Sequence, residues 1–167
     1  KILLDAIGKA LDVKPTFFSE MVSRGNSILR LIHYPPTKNE DTQNSIRAAA
    51  HEDINLITLL VGATDSGLEL KDRDGTWLSV NSKPGQIVVD SGDMLSRITN
   101  EVIPATTHRV VNPKDNKSAR YSMPFFTHPN SDAVLECLPS CLGSGAKYPP
   151  ILADDFLKER LRALGLY

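Results

Sequence analysis

The stretch "AAAHEDINLITLLVG", residues 48–62, decides how this chain is read. Three ionisable side chains, His51, Glu52 and Asp53, stand at the mouth of a strongly apolar run. The run over 56–62 has the length and composition of a core strand. Residues i and i+2 of a strand point to one side, so His51 and Asp53 are expected to face one site together, with Glu52 turned outward into solvent. An imidazole nitrogen and a carboxylate oxygen on one side are two-thirds of the ligand set that two histidines and one carboxylate offer a divalent iron. By itself a His-x-Asp pair arises often by chance, and a polar turn before a strand is the plainer reading.

Working outward, the chain from "SILRLIHYPP" onward is a series of short β-like runs. Strands are expected over 28–34, 56–62, 68–71, 77–80, 86–90, 94–99, 106–111, 120–126 and 134–137. Turn signals separate them: "DSG", "DRDG", "SKPG", "DSGD", "NPKDN" and "HPNSD". Residues 1–23 read as one or two short helices broken around Pro15, with Leu3, Leu4, Ile7 and Leu11 on one face. The segment "ADDFLKERLRALG" has an acidic start, helical spacing of Phe156, Leu157, Leu161 and Leu164, and a closing glycine, which predicts a helix on the outside of the sheets. Many short strands of even spacing imply a barrel or a two-sheet jelly roll. The expected fold is therefore mainly β, with helices at both ends.

The 167 residues suffice for one domain with a real core. A composition of 41% hydrophobic and 23% charged residues with a formal net charge of −1 is globular, with no basic field for nucleic acid. The apolar runs are strand-sized, so no membrane span is expected. The opening "KILLDAIGKALDV" is amphipathic rather than leader-like, and without an initiator methionine it reads as a fragment or processed product. Cys137 and Cys141 in "CLPSC" fit neither a zinc knuckle nor a disulfide framework; reduced thiols in a cytoplasmic protein are expected.

Further along, "TTHRVV" offers His108 within another strand as a third ligand. Twelve residues later, "RYSMPFF" puts Arg120 and Ser122 on one strand face. An arginine fork beside a hydroxyl suits a carboxylate held through two hydrogen bonds. Upstream, Tyr34 in "RLIHYPP" could add a phenol to the same anion. Other conspicuous residues have plainer readings: His33 faces away from Tyr34, His128 sits in a loop, Arg109 is at the surface or salt-bridged, and Trp77 packs. Leu60, Val89, Val110 and Phe125 are expected to wall the site.

Taken in order, "HED", "GLELKDRDGTWLSV", "PGQIVVDSGDMLSRITN", "HRV" and "RYSMPFF" resemble the isopenicillin N synthase-like family of Fe(II)- and 2-oxoglutarate-dependent oxygenases. The resemblance runs from "LRLIHYPP" to the end, roughly four-fifths of the chain. It implies a double-stranded β-helix, or jelly roll, over 28–167 including the C-terminal helix, with 1–27 a helical remnant of an N-terminal portion. It implies His51, Asp53 and His108 as iron ligands, and Arg120, Ser122 and Tyr34 as contacts of 2-oxoglutarate. The cofactors implied are Fe(II), 2-oxoglutarate as co-substrate and O2, with ascorbate a candidate reductant. The reaction implied is hydroxylation, desaturation or ring closure of a small organic molecule, with release of succinate and CO2.

The sequence departs from the family in places. Many plant members carry threonine between the ligands and glycine two after the aspartate, where this chain has Glu52 and Asn55; the asparagine of the plant "NYYPP" motif is Ile32. The helices and strands that normally precede this region are missing, so self-association or a partner chain over the gap is expected. Two rivals share these motifs: a family oxidase that does not use 2-oxoglutarate, of the isopenicillin N synthase or aminocyclopropane carboxylate oxidase type, and a non-catalytic jelly-roll module. A zinc hydrolase on the same three ligands ranks last, because it gives the arginine anchor no role.

Overall fold

The computed structural model describes residues 1–36, 46–112 and 119–166. The "NPKDN" turn signal therefore lies, from Pro113 on, outside the described residues. Two antiparallel sheets face each other in a jelly roll, with helices packed at one end. The larger sheet joins β1 (Ile28–Leu29), β2 (Ile32–Tyr34), β4 (Ile57–Val61), β7 (Ile87–Ser91) and β9 (Arg120–Thr127), in the order β1-β9-β4-β7 with β2 also on β9. The smaller joins β3 (Ala48–His51), β5 (Leu68–Lys71), β6 (Trp77–Ser79) and β8 (His108–Val110), in the order β3-β8-β5-β6. A two-stranded ribbon of β10 (Val134–Leu135) and β11 (Ile151–Leu152) completes the strands of the described residues.

Strand periodicity sets what faces the space between the sheets. On the large sheet, Thr58 lies between Phe126 and Asp90, and Leu60 between Pro124 and Val88. Both rows line the inter-sheet cavity. The intervening rows, Phe125–Leu59–Val89 and Met123–Val61–Ile87, point the other way. Val89 and Phe125 are thus not part of the cavity wall expected for them: they are register partners of Leu59, are 43% and 36% exposed, and look outward. Leu60 and Val110 do line it, joined by Val88 and Pro124. The expected strand 28–34 is interrupted at Arg30 and Leu31, which separates β1 from β2.

The core is built where the helices meet the lower end of the large sheet. Leu4 of α1 (Ile2–Ala10), Phe18 of α2 (Phe17–Met21), Leu56, Ile57 and Leu135 are all buried together. The break expected around Pro15 separates α1 from α2, but α1 already ends at Ala10, where Asp12 beyond its C-cap takes a left-handed φ of 53°. Phe156 and Ala153 of α4 (Ala153–Ala163) join the same core, while the later turns of α4 lie along the open end of the roll.

One expected strand is a helix. Residues 94–98 fall in α3 (Asp93–Ile98), with Thr99 at its C-cap, and Met94, Leu95 and Ile98 are buried on one side. The spacing of those three is helical rather than alternating, and the β-like look of "MLSRIT" conceals it. The first amides of this helix, which have no partner within it, are satisfied by the loop after β3. Gly92 N donates to Leu56 O at 3.0 Å, Asp93 N to Asp53 O at 2.8 Å, and Met94 N to Asn55 O at 3.0 Å. That docking requires glycine at position 92, where a Cβ would stand 2.5 Å from Asn55 O and 2.7 Å from Asp53 O. Gly92→Ala is accordingly expected to destabilise the fold by about 1–3 kcal/mol, the usual cost of overpacking. Thermal denaturation reads this as a drop of roughly 5 °C; an unchanged midpoint would show that the loop and α3 are not tightly docked.

Candidate metal centre and its anion pocket

His51 ends β3 and His108 begins β8, and the two are register partners across the antiparallel pair. Their rings lie 4.3 Å apart, centroid to centroid. Asp53 reaches them by a different route from the expected strand alternation, because β3 ends at His51 and Asp53 is already in the loop. Its position comes from the docking of residues 53–56 on α3 described above. Asp53 Oδ1 stands 3.8 Å from His51 Nε2 and 3.9 Å from His108 Nε2. The three ligand-capable atoms all lie within 4.8 Å of one another. Atoms that share one divalent ion at bonds of about 2.1 Å sit no more than about 4.2 Å apart, so small side-chain rotations close the set.

The atoms pointing away from this centre are held. A carbonyl can only accept, so His51 Nδ1 donates to Ala49 O at 2.7 Å and His108 Nδ1 to Thr106 O at 3.0 Å. In a neutral imidazole held this way, the Nε2 lone pair is the one directed toward Asp53, the tautomer a metal ligand needs. Thr58 Oγ1 donates to Asp53 Oδ2 at 2.5 Å and accepts from Asn55 Nδ2 at 2.8 Å, which leaves Oδ1 for the histidine side. Asp53 is 8% and His108 9% exposed, whereas His51 is open on one side. Behind them, burial together with the Asp53 carboxylate pushes the Asp90 carboxyl up to about 7.

Some 150 Å³ of cavity between the sheets connects this centre to Arg120 and Ser122 on β9. Arg120 is only 2% exposed, and burial works against its charge. Its Nε donates to Asp65 O at 3.3 Å, but among the described residues Nη1 is buried without a hydrogen-bond partner. A buried guanidinium with an unmet donor is costly, and an acidic ligand in the cavity would satisfy it. Tyr34, the register partner of Arg120 on β2, puts its ring 5.4 Å from the guanidinium. Ser122 is buried two residues along the same face. The residues expected to form one site thus line one cavity.

A second, wider cavity of about 680 Å³ opens beside His51 and Asp53. Its walls include Arg30, Phe126 and His128 on one side and Leu157, Leu161 and Leu164 of α4 and its end on the other. The Arg30 guanidinium lies 5.1 Å from the Phe126 ring, and burial lowers the basicity of His128. Away from the cavities, His33 is exposed and stacks on Tyr121, and Arg109 pairs with Glu69 at 2.7 Å while covering Trp77 at 4.0 Å. Glu52 is not the solvated bystander expected of it: half-buried, it accepts from Thr107 Oγ1 at 2.8 Å.

Residues 25–129 match the model of the 2OG-Fe(II) oxygenase superfamily. The chain belongs to that superfamily. Among its curated relatives, the 2-oxoglutarate-Fe(II) type oxidoreductase hxnY of Emericella nidulans is 37% identical over 162 residues, covering 95% of this chain and 46% of the relative. The 2-oxoglutarate-dependent dioxygenase citB of Monascus ruber is 37% identical over 163 residues, with 95% and 49% covered. The chain thus spans about half the length of these curated relatives. A crystal structure of a 2OG-Fe(II) oxygenase family protein from Caulobacter crescentus superposes with a TM-score of 0.87 at 48% identity, over 96% of this chain and 53% of that one. A full-length Neurospora crassa protein, crystallised in complex with alpha-KG and thymine, gives 0.87 at 33% identity over 96% and 51%.

Sequence reasoning left out four residues that the structure brings to the site: Arg30, Asn55, Thr58 and Asp90. Arg30 and Asp90 carried a signal. Arg30 shares the parity of Ile32 and Tyr34, and Asp90 is the lone acid in the apolar run "QIVVD". Asn55 lies in the loop, which no periodicity describes, whereas Thr58 lies on β4 and shares the inward face of Leu60. Thr58→Val removes the donor to Asp53 and leaves Asn55 Nδ2 unpaired, so a loss of about 1–3 kcal/mol is expected in chemical denaturation. A variant as stable as the parent would show that the bond holding Asp53 carries no net energy.

Proposed function

We propose that this chain is the catalytic portion of a non-haem Fe(II)- and 2-oxoglutarate-dependent oxygenase that oxidises a small organic molecule and releases succinate and CO2. One observation carries the reading: a His-Asp-His cluster and a buried arginine with an unmet donor occupy the two ends of one cavity. His51, Asp53 and His108 would hold the iron, a donor set of two neutral imidazoles and one carboxylate that suits Fe(II) and leaves positions open. Arg120, with Ser122 and Tyr34, would hold the far carboxylate of 2-oxoglutarate. Iron with 2-oxoglutarate supplies the O2-dependent oxidation when both are bound.

The chain's own residues do the rest. The Nδ1 bonds of the two histidines and the Thr58 bond to Asp53 preset the ligand atoms, so little reorganisation accompanies binding. Leu60, Val88 and Val110 keep water from the space between the metal and Arg120. The wider cavity, lined by Phe126 and the leucines of α4, suits a substrate with an apolar body and an oxygen acceptor in reach of Arg30. In the Neurospora crassa relative, alpha-KG and thymine are bound together, which supports a small cyclic substrate.

Residues 28–167 form the oxygenase jelly roll in this reading, preceded by the helical 1–27. The exposed outer rows of the large sheet, with Ile87 55% and Val61 49% accessible, support association with a second copy or a further segment. The two free thiols, Cys137 and Cys141, fit a reducing cytoplasm. No helix of the described residues is long and apolar enough to cross a membrane.

The experiment supplies Fe(II), ascorbate and 2-oxoglutarate to the purified chain with a panel of small cyclic substrates, and follows O2 uptake and succinate. Asp53→Ala and His108→Ala are expected to lower succinate formation at least 100-fold. Arg120→Ala should retain metal while raising the 2-oxoglutarate KM about 10–100-fold, the worth of a charge-assisted pair. Turnover without 2-oxoglutarate would point to an oxidase instead, and full activity in either ligand variant would overturn the site.

A further inference from the structure

Glu52 stands between two candidate ligands, and its partner Thr107 immediately precedes the third. We infer that the Glu52–Thr107 hydrogen bond is a brace that positions the metal-binding side chains of both strands. Strand register sets the geometry. His51 pairs with His108, so the next antiparallel position sets Glu52 opposite Thr107. The ladder of β3 and β8 stops there, because β3 ends at His51 and β8 begins at His108. A side-chain bond of 2.8 Å therefore takes the place of the next rung, one residue from His51 and Asp53 on one side and one residue from His108 on the other.

The brace does not compete for the metal, because the cluster of ligand-capable atoms is His51, Asp53 and His108, without Glu52. Glu52 and Thr107 border the wider cavity beside that cluster, and their bond occupies one Glu52 carboxylate oxygen. The segments they join are each anchored elsewhere. Thr106 N donates to Ser91 O at 2.9 Å and Lys71 N to Thr107 O at 2.9 Å, while Asp53 O accepts from Asp93 N at 2.8 Å. Glu52 ties these two anchored segments to each other. It also borders the cleft containing Asp93 and Arg160, whose 2.9 Å ion pair fixes α4 against the start of α3. Without the brace, the His51–Asp53 and His108 segments keep their separate anchors but lose the bond that sets the distance between them. Glu52 is thus a positioning residue, acting through its neighbours rather than on substrate or metal.

The inference rests on the metal-centre reading, and Co(II) tests both without turnover. Co(II) affinity and visible absorption are measured on the purified chain and on Glu52→Ala, Glu52→Gln, Thr107→Val and the Glu52→Ala/Thr107→Val double variant, with circular dichroism as the fold control. Glu52→Ala and Thr107→Val are each expected to weaken Co(II) about ten-fold and shift its absorption, as loss of a group that orients ligands does. The double variant should be no weaker than either single one, because both remove the same bond. Glu52→Gln retains an acceptor oxygen and should restore binding to within about two-fold. Parental affinity and spectrum in both single variants overturn the brace, as does a Glu52→Gln protein as weak as Glu52→Ala. A parent chain that binds no Co(II) overturns the metal-centre reading, and the brace with it.

Discussion

The site depends on one constraint: the carboxylate of Asp53 must meet two histidines from a position where no strand can deliver it. The smaller sheet brings His51 and His108 together as register partners, but the strand holding His51 ends there. From Asp53 onward the backbone is fixed by its carbonyls, which accept the first amides of α3. Those amides need acceptors, the loop carbonyls need donors, and burial makes both demands strict. Gly92 makes the contact close enough to work. The metal cluster is thus tied, through backbone hydrogen bonds, to the placement of a short helix.

The large sheet supplies the other half. Its inward rows run from Asp90 and Thr58 beside the cluster to Leu60, Ser122 and Arg120 farther along. Strand alternation sets all of them on one face, and so a single cavity spans from the His-Asp-His cluster to the guanidinium. Arg120 stays charged in a buried place and holds a donor in reserve. A buried unmet donor costs stability, and an acidic ligand in the cavity would offset that cost. The wider cavity beside α4 shares His51 and Asp53 with the first and adds Leu157 and Leu161, so both cavities border the same cluster.

Period-two alternation is reliable wherever a strand exists. It placed Arg120 with Ser122 and turned His33 away from Tyr34. At Asp53 the expected meeting with His51 holds, but the loop rather than a strand delivers it. Alternation failed over 94–98, which is helix, and at Val89 and Phe125, where the parity between neighbouring strands had to be known. Glu52 was assigned the wrong environment: it meets Thr107 rather than open solvent.

By itself, the sequence determined the residue types, their order along the chain and the side of each strand they occupy, because these follow from local geometry and the chemistry of each side chain. That was enough for a barrel or jelly-roll expectation and for His51, Asp53, His108 and Arg120 as candidates, which the family resemblance then joined into one site. Only the tertiary structure decided which rows face the cavity, how Asp53 reaches the histidines, and that Thr58, Asn55 and Glu52 hold the ligand segments in place. Those matters turn on strand register and on how a loop docks against a helix, and both are set by contacts between residues far apart in the chain.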